Sequence, residues 1–155
     1  MGFQESMRIS GSALSAQRLR MNTISNNLAN AQTTRTDRGT PFRRQQVVFQ
    51  PMFQSTLLER LRMATPHNRH LPSDLPSSEG GVTVSGISED PREGNRVFEP
   101  GHPHADQDGY VEYPNVNVIA EMSDMINASR SYEANVTSLQ SIKAMALKAL
   151  EIGRA

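Results

Sequence analysis

The chain has 155 residues, about the length of one domain, and only 36% of them are hydrophobic. Sixteen basic residues balance sixteen acidic ones, so the overall charge points to neither a nucleic acid nor a membrane as the partner. There is no cysteine, which excludes disulfides, thiolate metal sites and cysteine nucleophiles. No apolar run approaches the roughly 18 residues of a membrane span.

An apolar stripe marks the N-terminal segment. Its members recur one heptad apart and are Met7, Leu14, Met21 and Leu28. This spacing is typical of a long helix whose narrow apolar seam needs a partner helix. We therefore predict a helix from residue 3 to about residue 31, roughly 40 Å long.

Asparagines are concentrated in the last turns of this predicted helix. Asn22, Asn26 and Asn30 are four residues apart and share one face, and Asn27 lies beside them. Asn is a poor helix former that prefers helix ends and turns. Two interpretations stay open: the asparagine face forms hydrogen bonds across an interface, or it is simply solvated.

The middle of the chain has the patterns of a small β-rich insert. Segments rich in β-branched and aromatic residues predict four strands, at 42–50, 82–87, 96–99 and 110–113. Between the first two strands the pattern predicts a short helix at 53–64 and then a flexible, proline-rich loop at 65–81.

A second helical stripe runs from about residue 115 to residue 152, where Gly153 is a candidate C-terminal cap. Its heptad-spaced residues are Val118, Met125, Tyr132, Leu139 and Ala146, with Met122, Val136 and Leu150 interleaved. We predict a mainly α fold in which the long N- and C-terminal helices form an antiparallel coiled coil around a β-hairpin-rich middle segment. The predicted parts of this one structural unit are 1–34, 35–114 and 115–155.

Few groups of residues suggest a catalytic or metal-binding site. The segment from His102 to Gly109 contains His104, Asp106 and Asp108, which are possible metal ligands. Read as a calcium loop, it lacks the acidic residues needed at both anchoring positions. The pair His67 and His70 lies in a predicted loop, and no nucleophile elbow, zinc-protease motif or phosphate-binding loop is present. The sequence therefore predicts no enzyme, and a His/Asp metal-binding protein remains one alternative.

Four arginines could contact phosphates but lack the interleaved aromatic residues of nucleic-acid platforms. They are Arg18, Arg20, Arg43 and Arg44. We interpret them as a solvated or intersubunit face.

Several motifs resemble those of one protein family. They are S-N-N-L-A-N at 25–30, G-Y-V-E-Y-P-N-V at 109–116, R-S-Y-E-A-N at 130–135 and K-A-L-E-I-G-R at 148–154. Together they resemble the bacterial flagellar rod and hook proteins, and within them the proximal-rod proteins. The sequence departs from the family pattern in the turn after Asn30 and in residues 53–81, which are longer and richer in proline than the resemblance leads us to expect.

The resemblance implies a non-enzymatic structural subunit of the flagellar basal-body rod, with no cofactor and no membrane insertion. It implies export through the flagellar type III apparatus without a cleaved signal, and a position in the rod that spans the periplasm. The implied partners are further copies of the chain and rod proteins of the FlgB, FlgF, FlgG and FliE types. A soluble helical adaptor is the alternative function.

The expected assembly interface combines both helical stripes with polar residues of the motifs. Its members are Met7, Leu14, Met21, Asn26, Asn27, Leu28, Asn30, Met122, Met125, Tyr132, Asn135, Val136, Leu139 and Leu150.

Overall fold

The structure is a computed structural model, and it describes residues 2–52 and 80–153. Along the chain, two long helices flank a segment that contains the β-strands, as the sequence predicted. In chain order the elements are α1 (Phe3–Ala29), β1 (Gln45–Pro51), β2 (Val82–Glu89), β3 (Arg96–Phe98), β4 (Tyr110–Glu112) and α2 (Val118–Ile152). The predicted helix at 53–64 and nearly all of the predicted loop at 65–81 lie outside the described residues.

Local polar contacts set the ends of the two helices. At the start of α1, the Gly2 N–H donates to Glu5 Oε2 over 3.3 Å, where a carboxylate also favours the helix dipole. Helix α2 begins three residues later than predicted because Asn117 caps it, accepting a hydrogen bond from the Ala120 N–H over 3.1 Å. Gly153 does cap α2, but in a right-handed conformation.

Helix α1 packs against both α2 and the β1–β2 hairpin. In that hairpin the antiparallel pairing runs from Gln45 with Glu89 to Pro51 with Val82, and a register shift follows Val48. The Ser12 hydroxyl oxygen accepts a hydrogen bond from the Val82 N–H over 3.1 Å. The hairpin therefore extends along α1 from its C-terminal end, beside Gln45, towards its N-terminal half.

The second hairpin pairs Arg96 with Glu112 and Phe98 with Tyr110. The turn before β4 includes Gly109, whose φ is +80, and a Cβ there would lie 2.9 Å from a Phe98 ring atom. Glycine is needed at this position both for its backbone conformation and for space. Asp108 and Gly109 thus form the turn that leads into β4.

The helix pair has a small core. Ala16 and Ile24 of α1 and Ala128 of α2 are buried, and the C-terminal end of α1 meets the N-terminal end of α2. This is the arrangement of an antiparallel pair. Small side chains let the two helix backbones approach closely, but they supply little apolar burial. The apolar core of the described residues is therefore small, in keeping with a chain of which only 36% is hydrophobic.

Candidate assembly interface

A buried polar cluster joins the two helices where α1 ends. Asn27 is 1% exposed and Glu121, in the first turn of α2, is 0% exposed. Asn27 Nδ2 donates to Glu121 Oε2 over 2.9 Å and to the Gln45 carbonyl over 2.8 Å. Asn27 Oδ1 accepts from the Gln45 N–H over 2.9 Å. One amide side chain therefore fixes the end of α1 to both α2 and the start of β1.

Arg44 supplies the positive charge of this polar cluster. Its Nε donates to Glu121 Oε1 over 2.5 Å, and its Nη2 lies 3.5 Å from Asp124 Oδ2. Asp124 also lies 3.4 Å from Arg20 Nη2 of α1. The Arg44 N–H donates to Asn115 Oδ1 over 3.0 Å, which holds the segment that leads into α2. We call Asn27, Arg44 and Glu121 the polar anchor.

The polar anchor changes two interpretations made from the sequence. Arg44 was expected on a solvated or intersubunit face, and that was wrong because its side chain is 18% exposed and paired within the chain. In the asparagine group, Asn26 contacts Gln45 and receives a hydrogen bond from Asn30, whereas Asn22 is exposed. The most buried asparagine is Asn27, which lies off the face shared by the other three.

Glu121 and its role were missed, although the sequence contained a signal. Glu121 is four residues before Met125 and seven before Ala128, so it occupies the inward-facing register of α2. A carboxylate at such a position needs a charged partner, since an isolated buried charge is very unfavourable. Several arginines were available in the sequence, and only the fold shows that Arg44 is the partner.

The expected interface residues divide into three groups by exposure. Most are half-buried: Met7, Leu14, Met21, Leu28, Asn30, Met125, Tyr132, Asn135, Val136 and Leu139. Asn27 is buried. Asn26, Met122 and Leu150 are exposed. The half-buried group follows the seams where the helices face each other, so the exposed group carries the surface still open to a partner.

Large apolar side chains are exposed on α2 in two places. Near its start, Ile119, Met122 and Ile126 are exposed at three- and four-residue intervals, which places them on one helical face. Glu121 and Ala128 mark the opposite face, which is buried. We call Ile119, Met122 and Ile126 the outer patch.

The second exposed group lies at the end of α2. Leu147, Leu150 and Ile152 are all exposed, and Leu150 continues the inward-facing register four residues after Ala146. Helix α1 has 27 residues and α2 has 35. The longer helix therefore ends in apolar residues that the shorter one leaves uncovered.

The segment from His102 to Gly109, which contains the possible metal ligands, forms a turn around Asp106. Its Oδ1 accepts hydrogen bonds from the N–H groups of Tyr110 and Asp108, and its Oδ2 lies 2.6 Å from Arg96 Nη2. The Tyr110 N–H contributes most to lowering the pKa of Asp106, followed by Asp108 and Arg96.

The histidines of this segment have separate contacts. His104 Nδ1 lies 2.8 Å from the Thr34 hydroxyl, and the His102 ring packs against the His104 ring. Within residues 2–52 and 80–153, no group of three or more His, Cys, Asp or Glu side chains is gathered to hold a metal. His67 and His70 lie outside the described residues.

Two protein-family models match this chain, one towards each end. The family model described as "Flagella basal body rod protein" matches residues 7–35. A second model, "Flagellar basal body rod FlgEFG protein C-terminal", matches residues 107–152. These matches cover α2, all of α1 except its first four residues, and the polar anchor apart from Arg44.

Full-length relatives decide the family. The flagellar basal-body rod protein FlgC of Borreliella burgdorferi is 42% identical over 98% of both chains. The FlgC proteins of Bacillus subtilis and Salmonella typhimurium are 41% and 39% identical, over at least 94% of each chain. The chain belongs to the FlgC family of flagellar basal-body rod proteins. It is a structural subunit of the rod and not an enzyme, and this role replaces the alternative of a helical adaptor.

Membership of the FlgC family also places the subunit in the flagellar basal body. No helix among the described residues is long and apolar enough to cross a membrane. The motifs that carried the resemblance meet in space: Asn27 lies in S-N-N-L-A-N, Asn115 lies in G-Y-V-E-Y-P-N-V, and both contribute to the polar anchor or its contacts.

Proposed function

We propose that this FlgC-family subunit polymerises through its terminal helices into the proximal rod, the drive shaft that transmits torque from the motor to the hook. Residues 1–34 and 115–155 are the assembly helices in this proposal, and they pack as an antiparallel coiled coil. Residues 35–114 form the β-rich part on the outside of the rod. The neighbours are further copies and rod proteins of the FlgB, FlgF, FlgG and FliE types.

The observation that carries the proposal is the uncovered apolar surface of α2. Ile119 is 82% exposed, Met122 is 55% exposed and Leu150 is 66% exposed. Apolar surface at helical spacing favours contact with another helix, because burying it releases about 25 cal/mol for each Å² removed from water. Met122 and Leu150 are therefore proposed as intersubunit contacts.

The half-buried seam residues have a different part in the same proposal. Residues such as Leu28 and Leu139 contribute to packing within the chain and retain some exposed surface. A neighbouring helix would cover the remainder. Met21 and Met125 suit such a shared seam, because methionine adapts to more than one packing partner.

Export through the flagellar type III apparatus, and a rod that spans the periplasm, complete the proposal. A chain threaded through a narrow export channel must lose its tertiary structure. The small number of large buried side chains in the described residues supports easy unfolding, since burial of apolar surface is the dominant stabilising term. The absence of cysteine means that no disulfide needs to be broken or formed.

The test compares two aspartate substitutions at similarly exposed apolar residues. Met122→Asp changes the outer patch, and Ile87→Asp changes β2, where the side chain is 49% exposed. Each variant replaces the native copy in the source bacterium. We expect Met122→Asp to be synthesised and exported but to abolish rod assembly and swimming, while Ile87→Asp swims. Normal swimming with Met122→Asp, or equal loss with both variants, would contradict the proposed role of the helices.

A further inference from the structure

The apolar seams of the two helices do not define one alignment by themselves. The α1 seam repeats every seven residues from Met7 to Leu28, and the α2 seam repeats every seven from Val118 to Ala146. Sliding one helix past the other by one heptad brings apolar positions opposite apolar positions again. Such a slip moves the helices by about 10 Å relative to each other. Something other than the seams must select the observed register.

The polar anchor has the properties that the seams lack. It occurs at one end of the helix pair, and it joins three separate parts of the chain through atoms with directional bonding. Asn27 uses both of its amide hydrogens and its carbonyl oxygen, and Glu121 uses both of its oxygens. These contacts form only when Asn27 and Glu121 lie opposite each other.

We propose that Asn27, Arg44 and Glu121 are positioning residues that fix the register of α1 against α2. In a one-heptad slip, Ala128 would lie where Glu121 now lies, leaving the Asn27 amide without its carboxylate partner. In the opposite slip, the Glu121 carboxylate would move seven residues along α1, away from Asn27 and from Arg44. Either slip leaves buried polar groups unpaired, which costs far more than the slip costs the apolar seams.

This arrangement resembles a known use of polar residues in helix pairs. A single buried polar residue in the apolar seam of a coiled coil selects the register and the number of helices that associate, usually with some loss of stability. A buried ion pair likewise adds little net stability compared with an apolar replacement, yet removing one partner alone is strongly destabilising. The inference concerns the folded chain itself and does not depend on polymerisation.

The test measures the distance between two spin labels by pulsed electron paramagnetic resonance on the full chain. Because the chain has no cysteine, Arg18→Cys on α1 and Ala144→Cys on α2 give two specific attachment sites, both at exposed positions. The two sites are offset along the helix axis, so a slip changes their separation. The test variant replaces the polar anchor with apolar residues (Asn27→Leu, Arg44→Met and Glu121→Met). The control variant, Arg38→Met with Glu89→Met, removes an exposed ion pair.

We expect one narrow distance in the unmodified chain and in the control. In the test variant we expect a second population displaced by about 10 Å, with helical content retained. A single unchanged distance in the folded test variant would overturn the proposal. If the test variant loses its helical content, the same labels are measured in Asn27→Ala with Glu121→Ala, which removes both side chains of the contact and keeps good helix formers. A second distance there supports the proposal, and an unchanged single distance overturns it.

Discussion

Asn27 donates a hydrogen bond to Glu121 over 2.9 Å between two side chains that are almost completely buried and 94 residues apart in sequence. This contact links the end of α1 to the start of α2. It also brings together the two parts of the chain that match flagellar rod family models. The fold of the subunit is therefore anchored by polar chemistry at one end and by apolar seams along its length.

Replacing Asn27 by alanine should destabilise the folded chain. The change removes the partner of the buried Glu121 Oε2 and of the half-buried Gln45 N–H and carbonyl. An unsatisfied buried group costs about 1–3 kcal/mol, and a half-buried one costs less because water can reach it. We expect the free energy of unfolding to fall by about 3 kcal/mol in urea denaturation. Asn22→Ala, at an exposed position on the same helix, should change it by less than about 0.5 kcal/mol. Equal effects would show that Asn27 has no special part.

Arg44→Met should lower the free energy of unfolding more than the removal of an exposed arginine does. It leaves the buried Glu121 carboxylate without its cation, a change that typically costs about 3–5 kcal/mol. Arg38→Met is the matched control. Arg38 is exposed, and its surface ion pair with Glu89 is long, at 3.8 Å, and worth at most about 1 kcal/mol. Urea denaturation of both variants measures the difference. A stability for Arg44→Met equal to that of Arg38→Met would rule out a buried charge pair.

Gly94→Ala should disrupt the junction between β4 and α2. A Cβ at Gly94 would overlap the Tyr113 carbonyl oxygen, so the backbone has to move. Overpacking of this kind costs at least about 2 kcal/mol, which lowers the melting temperature by more than about 4 °C. Gly86→Ala, in β2, meets no atom within 4 Å and should melt close to the unmodified chain. Circular dichroism during heating compares the two variants.

Asp90 should titrate at unusually low pH. Hydrogen bonds from the Arg92 side chain, and then from its N–H, lower the pKa of Asp90 from 3.8 to about 2. Since the folded chain has the lower pKa, the stability from this contact is complete above about 3.8 and is lost as the pH falls through about 2. Arg92→Gln should return the pKa of Asp90 towards 3.8, whereas Arg18→Gln should leave it near 2. An NMR titration of the Asp90 carboxyl group measures both. No change in Arg92→Gln would exclude the Arg92 side chain as the main cause.

Much of the fold could be predicted from local patterns. Heptad spacing located both helices, and alternation with turn residues located the described strands to within about three residues, because these signals depend on neighbours along the chain. Asn117 set the start of α2 later than the pattern did, because the cap depends on one side chain. Coiled-coil packing of the helices stays a prediction.

The polar anchor could not be predicted in the same way. Arg44 and Glu121 are 77 residues apart, and the sequence offers several arginines that could pair with Glu121. Only the path of the chain after α1 brings Arg44 to the helix pair. The inward-facing register of Glu121 indicated that a partner was needed, but it contained no information on which residue would be that partner.

The central claim is that exposed apolar residues of α2 contact neighbouring subunits in the rod, and cross-linking in assembled basal bodies tests it most directly. A photoreactive amino acid is placed at Met122 or at Leu150, and for comparison at Ile87 on β2, in cells that lack the native copy. After irradiation of purified basal bodies, we predict covalent adducts between this chain and another rod subunit from positions 122 and 150, with little from position 87. Chains that are incorporated into basal bodies but give no intermolecular adduct from either α2 position would contradict the account.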